Sequence, residues 1–212
     1  MEEYGFYAML DRMQYINRWG LMRNSRTENI KEHSFDVAVI AHALTLIHND
    51  LNADNKEAVK PEPFKVMAYA LYHDCTEIIT GDLPTPIKYR NKEITSAYRE
   101  IEHEAARTLT EMLPDNKALR AEYLELLSPE INSEESKLTA RIVKAADRIS
   151  AYIKCVREES SGNKEFSVAK KSTENLIRAM NLPAADFYMD HYVPAYGYTL
   201  DKITGEKKRE QD

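Results

Sequence analysis

Residues 32–48, EHSFDVAVIAHALTLIH, decide how the chain is read. Val37, Ile40, Ala41, Leu44 and Ile47 follow the i, i+3, i+4, i+7 spacing of an amphipathic helix. His33 falls on the same stripe, so an imidazole points where the apolar side chains point. Asn29, three residues before Glu32, has the form of a capping box and sets the helix start just before His33. The polar run at 48–60 reads as a connecting loop. Pro61 and Pro63 suit a helical first turn, and residues 64–80 read as a helix that Gly81 stops. Pro84 and Pro86 keep the DLPTP stretch at 82–86 out of any helix interior. Further helices are expected over about 92–113, 116–127, 134–160 and 164–181, with a break at 128–133. Residues 201–212 are charged and read as a frayed tail. With no internal repeat and no dividing linker, the expectation is one all-α domain over residues 1–212, a helical bundle.

Composition narrows the function classes. Apolar residues make up 43% and charged residues 30% of the 212, which excludes a disordered chain. There are six glycines, where average usage gives roughly fifteen. Neither GxGxxG nor GxxxxGK[ST] occurs, so a dinucleotide-binding turn and a phosphate-cradling P-loop are both unsupported. A net charge of −6 does not suit a general binder of nucleic-acid backbone. Two cysteines, Cys75 and Cys155, are too few for a disulfide scaffold or a thiolate zinc site. The N-terminal stretch lacks a signal-peptide pattern, and the apolar run 35–47 is too short to span a bilayer. The expectation is a cytoplasmic protein with neither membrane nor polymeric nucleic acid as partner.

The residues that carry chemistry lie on three segments. His73-Asp74 stands mid-helix in the apolar run 67–79, and Asp147 stands in the apolar run 141–153. An unpaired buried carboxylate costs about 1–3 kcal/mol even in mild cases, so each needs a partner. Alone, each has a plainer role: a hydrogen-bonded core histidine, or an aspartate paired with Arg141 or Arg148. Together, His33, His73, Asp74 and Asp147 would satisfy one another around a divalent cation. Two nitrogens and two carboxylates suit Mn, Fe, Co or Zn. Glu77 lies four residues after His73 and three after Asp74, on the same helix face, with Leu71, Ile78 and Ile79 marking that helix as buried. A carboxylate there can take a proton from an attacking water or give one to a leaving oxygen.

Arg18, Arg23 and Arg26 place three positive charges, with no acid between them, in residues 18–26. Arginine's planar fork matches phosphate oxygens. Arg18 adjoins Trp19, the one tryptophan, which either stacks on a base, walls off a sugar or packs in the core. Asp82 either accepts from sugar hydroxyls or is a turn residue before two prolines. His103 reads as part of a solvated face, His42 and His48 as remote from His33, Cys75 as a small hydrophobe, and the aromatics 187–198 as C-terminal packing or a subunit interface.

The order His33, His73-Asp74, Asp147 resembles the H…HD…D pattern of HD-domain metal-dependent phosphohydrolases. The stretches INRWGLMRNSRTENIKEHS (16–34), YHDCTEIITGDLPTPIKY (72–89) and KAADRISAYIKC (144–155) are similar to the bacterial 5′-deoxynucleotidases of that superfamily, over roughly residues 6–200. The resemblance implies an HD-domain bundle with one divalent metal per chain between its core helices, held by His33, His73, Asp74 and Asp147. Co²⁺ is expected to be effective, with Mn²⁺, Fe²⁺ or Zn²⁺ as further candidates. It implies hydrolysis of deoxyribonucleoside 5′-monophosphates, with Arg18, Asp74 and Glu77 catalytic. Arg18, Trp19, His33, Asp74, Asp82, Leu83, Pro84 and Thr85 would contact the substrate, and the chain would be a homodimer. Alternatives from other classes are an HD hydrolase of a different nucleotide phosphate ester and a non-catalytic, metal-stapled nucleotide sensor.

Overall fold

The computed structural model describes residues 3–88 and 90–205, and among them there is no strand beyond one isolated antiparallel bridge, Asn17 to Asn29. The all-α expectation therefore holds. Helix α1 (Phe6–Asp11) runs into a 3₁₀ turn at Arg12–Tyr15, and a loop leads to α2 (Ile30–Leu51). Then come α3 (Pro63–Tyr72), the one-turn helices α4 (Glu77–Thr80) and α5 (Thr85–Lys88), α6 (Lys92–Glu111) and α7 (Lys117–Leu127). The longest, α8 (Glu134–Ser160), is followed by a 3₁₀ turn at Lys164–Phe166, then α9 (Ser167–Arg178), α10 (Pro183–His191) and α11 (Leu200–Thr204).

The starts follow their capping residues. Asn29 accepts from the Glu32 N–H at the head of α2, and Ser133 with Ser136 forms a reciprocal capping box at the head of α8. Once started, α2 and α8 pack through the stripes that their sequences carry. Val37, Ile40, Ala41 and Leu44 meet Ile142, Ala145, Ala146, Ile149 and Ile153 in a core that α3, α9 and α10 complete. A second core joins Phe6, Met13, Ile30, Cys75, Leu109, Leu113 and Leu127, tying α1, α6 and α7 to the other side. The candidate site lies where α2, the end of α3 and α8 come together.

Several boundaries differ from expectation. His73-Asp74 is not mid-helix: α3 ends at Tyr72, and tight bonds from Cys75 N–H to Tyr72 O and from Glu77 N–H to Asp74 O turn the chain before α4. His73 Nδ1 lies 2.7 Å from Ala70 O, so a side chain takes a carbonyl at the helix end. The flanking helix is also less buried than expected, since Leu71 and Ile79 are exposed although Glu77 is buried. Thr85 and Pro86 open α5, because proline is tolerated in a first turn. The loop expected from residue 48 begins after Leu51. Of the expected tail, 201–204 is helical, and 206–212 lies outside the described residues.

Ile149, fully buried between α8 and α2, and Val168, 81% exposed on α9, give a matched contrast. Ile149→Ala is expected to cost about 2–5 kcal/mol and Val168→Ala less than about 0.5 kcal/mol, as read from urea unfolding of the chelator-treated protein.

Candidate metal centre

Three backbone segments bring the expected ligands together. His33 comes from the second turn of α2, His73 and Asp74 from the turn that ends α3, and Asp147 from the middle of α8. Ligand atoms of His33, His73 and Asp147 all lie within 4.8 Å of one another. Asp74 borders both rings, with Oδ2 3.2 Å from His73 Nε2 and 3.5 Å from His33 Nε2, and Asp147 Oδ1 is 3.3 Å from His33 Nε2. Both Nε2 atoms are buried without a hydrogen-bond partner. Two orphaned ring nitrogens facing two carboxylates fit a divalent cation.

The outer ring nitrogens explain why Nε2 is free. His73 Nδ1 donates to Ala70 O, so in the neutral ring that a cation requires it is Nε2 that carries the lone pair. Around His33 the arrangement is different. Arg18, a donor only, has Nη1 2.9 Å from His33 Nδ1, and Ser150 Oγ lies 3.1 Å from the same atom. A cation on Nε2 requires the proton on Nδ1, and the Ser150 hydroxyl is the acceptor available for it.

The charges fall into opposed groups. Burial and Arg18 hold the His33 imidazole below its ordinary pKa. Burial also disfavours charge on His73, but Asp74 and Asp147 outweigh it and raise that ring. Burial acts to raise both aspartates. His73 and His33 nevertheless hold Asp74, and Lys144 with His33 holds Asp147, below the usual carboxylate range. Glu77 goes the other way: burial, with Asp74 and Asp82 nearby, pushes its carboxyl up to about 9, and its Oε2 is buried without a partner. Burial raises Asp82 as well.

Asp147 pairs with neither Arg141 nor Arg148, which bond Met180 O and Leu176 O on the α9 side. Its partner is Lys144, at 2.7 Å. Arg18 is ion-paired at 2.6 Å with Glu28, a buried residue that the reading of 18–26 stopped short of. The pairing is made possible by the Arg18 N–H to Glu28 O bond, which folds the loop back on itself. Arg26 is largely exposed and pairs loosely with Glu32, so Arg18 is the arginine at the site. Trp19 is half-buried and packs edge-on against Phe166, with ring centroids 5.3 Å apart. Asp82, Leu83 and Pro84 follow α4 as a half-buried segment and Thr85 begins α5. Ser150, Glu28 and Lys144 went unread in the sequence, although Ser150 and Lys144, three residues either side of Asp147, were open to helical-spacing logic. A groove of about 730 Å³ opens beside the cluster, bordered by His73, Asp74, Lys88, Val143, Lys144 and Asp147. His103, at an exposed position bonded to Ser128, is a solvated-face residue as expected.

The raised Glu77 pKa sets a pH dependence. Its ordinary value is 4.5, so the folded chain keeps a proton that the unfolded chain releases above that pH. Stability from this group is complete below about 4.5 and is lost as pH rises towards about 9. Glu77→Gln is therefore expected to melt at least about 4 °C above the parent at pH 8 in chelator-treated protein, the gap closing near pH 4.5; a gap independent of pH would contradict it.

The chain is similar to several known proteins along nearly its whole length. The family model described as "5′-deoxynucleotidase YfbR-like" matches residues 5–196. A 5′-deoxynucleotidase of Erwinia tasmaniensis is 45% identical over 201 residues, 95% of this chain and 96% of its own length. One from Yersinia pseudotuberculosis is 45% identical over 94% of this chain and 96% of its own. Among solved structures, an HD-domain phosphohydrolase of Listeria innocua superposes with a TM-score of 0.69 at 19% identity, covering 95% of each chain. The cyanophage S-2L HD phosphohydrolase, solved with dA and one catalytic Zn²⁺, gives 0.61 at 17% identity, covering 88% of this chain and 95% of its own. The fold is the all-α HD fold.

Proposed function

The chain belongs to the YfbR-like 5′-deoxynucleotidase family, and from that premise we propose that it is a metal-dependent phosphomonoesterase that converts deoxyribonucleoside 5′-monophosphates to deoxyribonucleosides and phosphate. The observation that carries this reading is the pair of buried, partnerless Nε2 atoms facing Asp74 and Asp147 with Arg18 alongside. His33, His73, Asp74 and Asp147 would hold the cation, one per chain. When bound, a divalent cation supplies positive charge for phosphate oxygens and acidifies water.

The chain's own residues do the rest. With the His33 proton on Nδ1 and donated to Ser150, Arg18 loses its acceptor there; Nη1 stays with Glu28, and Nη2, on the Asp147 side, is the end of the fork that would orient the phosphate. Asp74 orients the attacking water. Glu77 enters protonated, since its pKa is pushed up to about 9, and so can deliver a proton to the leaving 5′-oxygen of the deoxyribose. Trp19 and residues 82–85 would wall the nucleoside, with Asp82 accepting from a sugar hydroxyl. The net charge of −6 disfavours di- and triphosphates and nucleic-acid polymers.

The same family reading extends to one HD domain over residues 1–212, a homodimer, a cytoplasmic setting and activity with Co²⁺. No helix among the described residues is long and apolar enough to cross a membrane.

A phosphate-release assay across deoxyribo- and ribonucleoside 5′-monophosphates, run with Co²⁺, Mn²⁺, Fe²⁺ and Zn²⁺, tests the reading. A cyclic dinucleotide or a triphosphate as best substrate would overturn it. Metal analysis adds two expectations: Asp147→Ala loses bound metal, whereas Glu77→Ala keeps it and loses about 10²–10⁴-fold in turnover.

A further inference from the structure

Asp147 presents its two carboxylate oxygens to different neighbours. Oδ1 faces the cluster, 3.3 Å from His33 Nε2 and 3.8 Å from Arg18 Nη2. Oδ2 is held by Lys144 Nζ at 2.7 Å. The two residues are three apart on α8 and so share a face of that helix. Asp74 differs, since it meets both imidazoles through the same oxygen, Oδ2.

The bond from Lys144 is charge-assisted and only partly out of water. The Asp147 side chain is 18% exposed and that of Lys144 46%, so the aliphatic stem and the ammonium stay partly hydrated while a donor is committed to Oδ2. Both residues border the groove of about 730 Å³, where the cluster meets solvent. An ammonium beside a ligand oxygen does not help to gather a divalent cation, because it repels the ion that the carboxylate attracts. What it does fix is the oxygen that the carboxylate can offer. A carboxylate free to turn presents both oxygens to a cation and fills two positions, whereas one with Oδ2 engaged offers Oδ1. Catalytic metal sites keep a position open for water or substrate.

We propose that Lys144 is a positioning residue that keeps Asp147 a one-oxygen ligand, through Oδ1, and so leaves a position at the metal open for water or phosphate, at some loss of metal affinity. The proposal rests on the metal-dependent reading above. Lys144 acts through Asp147 and not by touching the substrate.

The test compares the full-length parent with Lys144→Met, which keeps the side-chain length and removes the donor, and with Lys144→Arg, which restores a donor and the charge. Lys137→Met controls for net charge: it breaks an exposed pair with Glu134 on the same helix, roughly 15 Å from Asp147 at ~1.5 Å per residue. The probe is Co²⁺ added to chelator-stripped protein, because its visible absorption follows the number and geometry of its ligands. Lys144→Met is expected to hold Co²⁺ at least as tightly as the parent against a competing chelator, with a changed spectrum. Inorganic phosphate should perturb that spectrum only at about tenfold higher concentration, and turnover of deoxyadenosine 5′-monophosphate should fall about 10–100-fold. Lys144→Arg should recover most of the spectrum and the turnover, and Lys137→Met should match the parent throughout.

Weaker Co²⁺ binding by Lys144→Met would overturn the proposal, since Lys144 would then only stiffen a ligand. An unmoved spectrum with lowered turnover would overturn it too, making Lys144 a direct contact of the phosphate. So would a moved spectrum with turnover intact, no recovery in Lys144→Arg, or an equal change in Lys137→Met. A parent that takes up no divalent cation would instead overturn the reading on which the proposal rests.

Discussion

Four polar groups of opposite character are enclosed in one place, and the rest of the molecule is arranged around that cost. His33 is 1% exposed, and Asp74 and Asp147 are mostly covered. Buried carboxylates in a low-dielectric interior must be compensated or neutralised. The chain compensates them from outside the cluster: Lys144 on Asp147, Ala70 O and Ser150 behind the imidazoles, and Arg18 set between His33 and Glu28. Lys144 and Ser150 on α8 and Ala70 on α3 sit on helices that also pack the apolar core, so the position of the cluster and the position of the core are one problem. The end of α3 at Tyr72 follows from this demand, because the turn there frees His73 and Asp74 to face α2 and α8.

The two carboxylates with raised pKa, Glu77 and Asp82, lie beyond that compensated group. Asp74 has two imidazoles against it, whereas Glu77 has like charge nearby and a buried, partnerless Oε2. Neighbouring carboxyl groups are thus driven to opposite protonation states, the condition that lets one fold supply both an anion and an acid.

Much of this was legible in the sequence, for a physical reason. A helix buried on one side advertises its interior by period, and His33 or Asp147 on an apolar stripe stands out against it. Helix α8 matches its expected span of 134–160. Side chains that work across the chain gave no such signal. Glu28 reaches Arg18 only because the backbone doubles back through the Asn17–Asn29 bridge, and Glu158 meets Ser25 across more than a hundred residues. The break after Tyr72 was equally hidden. Residues 67–79 contain no Gly or Pro to mark a stop; His73, Asp74, Cys75 and Thr76 are only weaker helix formers, and hydrogen bonding at the site interrupts the helix there.

The separation of the site's contributors along the chain also bears on how the protein reaches its native state. Residues 18, 33, 74 and 147 meet only after α2, α3 and α8 have docked, and the loop 18–28 is sealed by α8 residues that lie still later. Contacts this distant in sequence repay their loop-closure entropy late, so folding is slowed by topology even though every element is a rapidly formed helix. A nascent or partly unfolded chain has the helices but lacks the site. A ligand of the assembled site draws the equilibrium towards the fully docked state, by RT ln(1 + [L]/Kd), and helix content alone would not reveal whether that docking is complete.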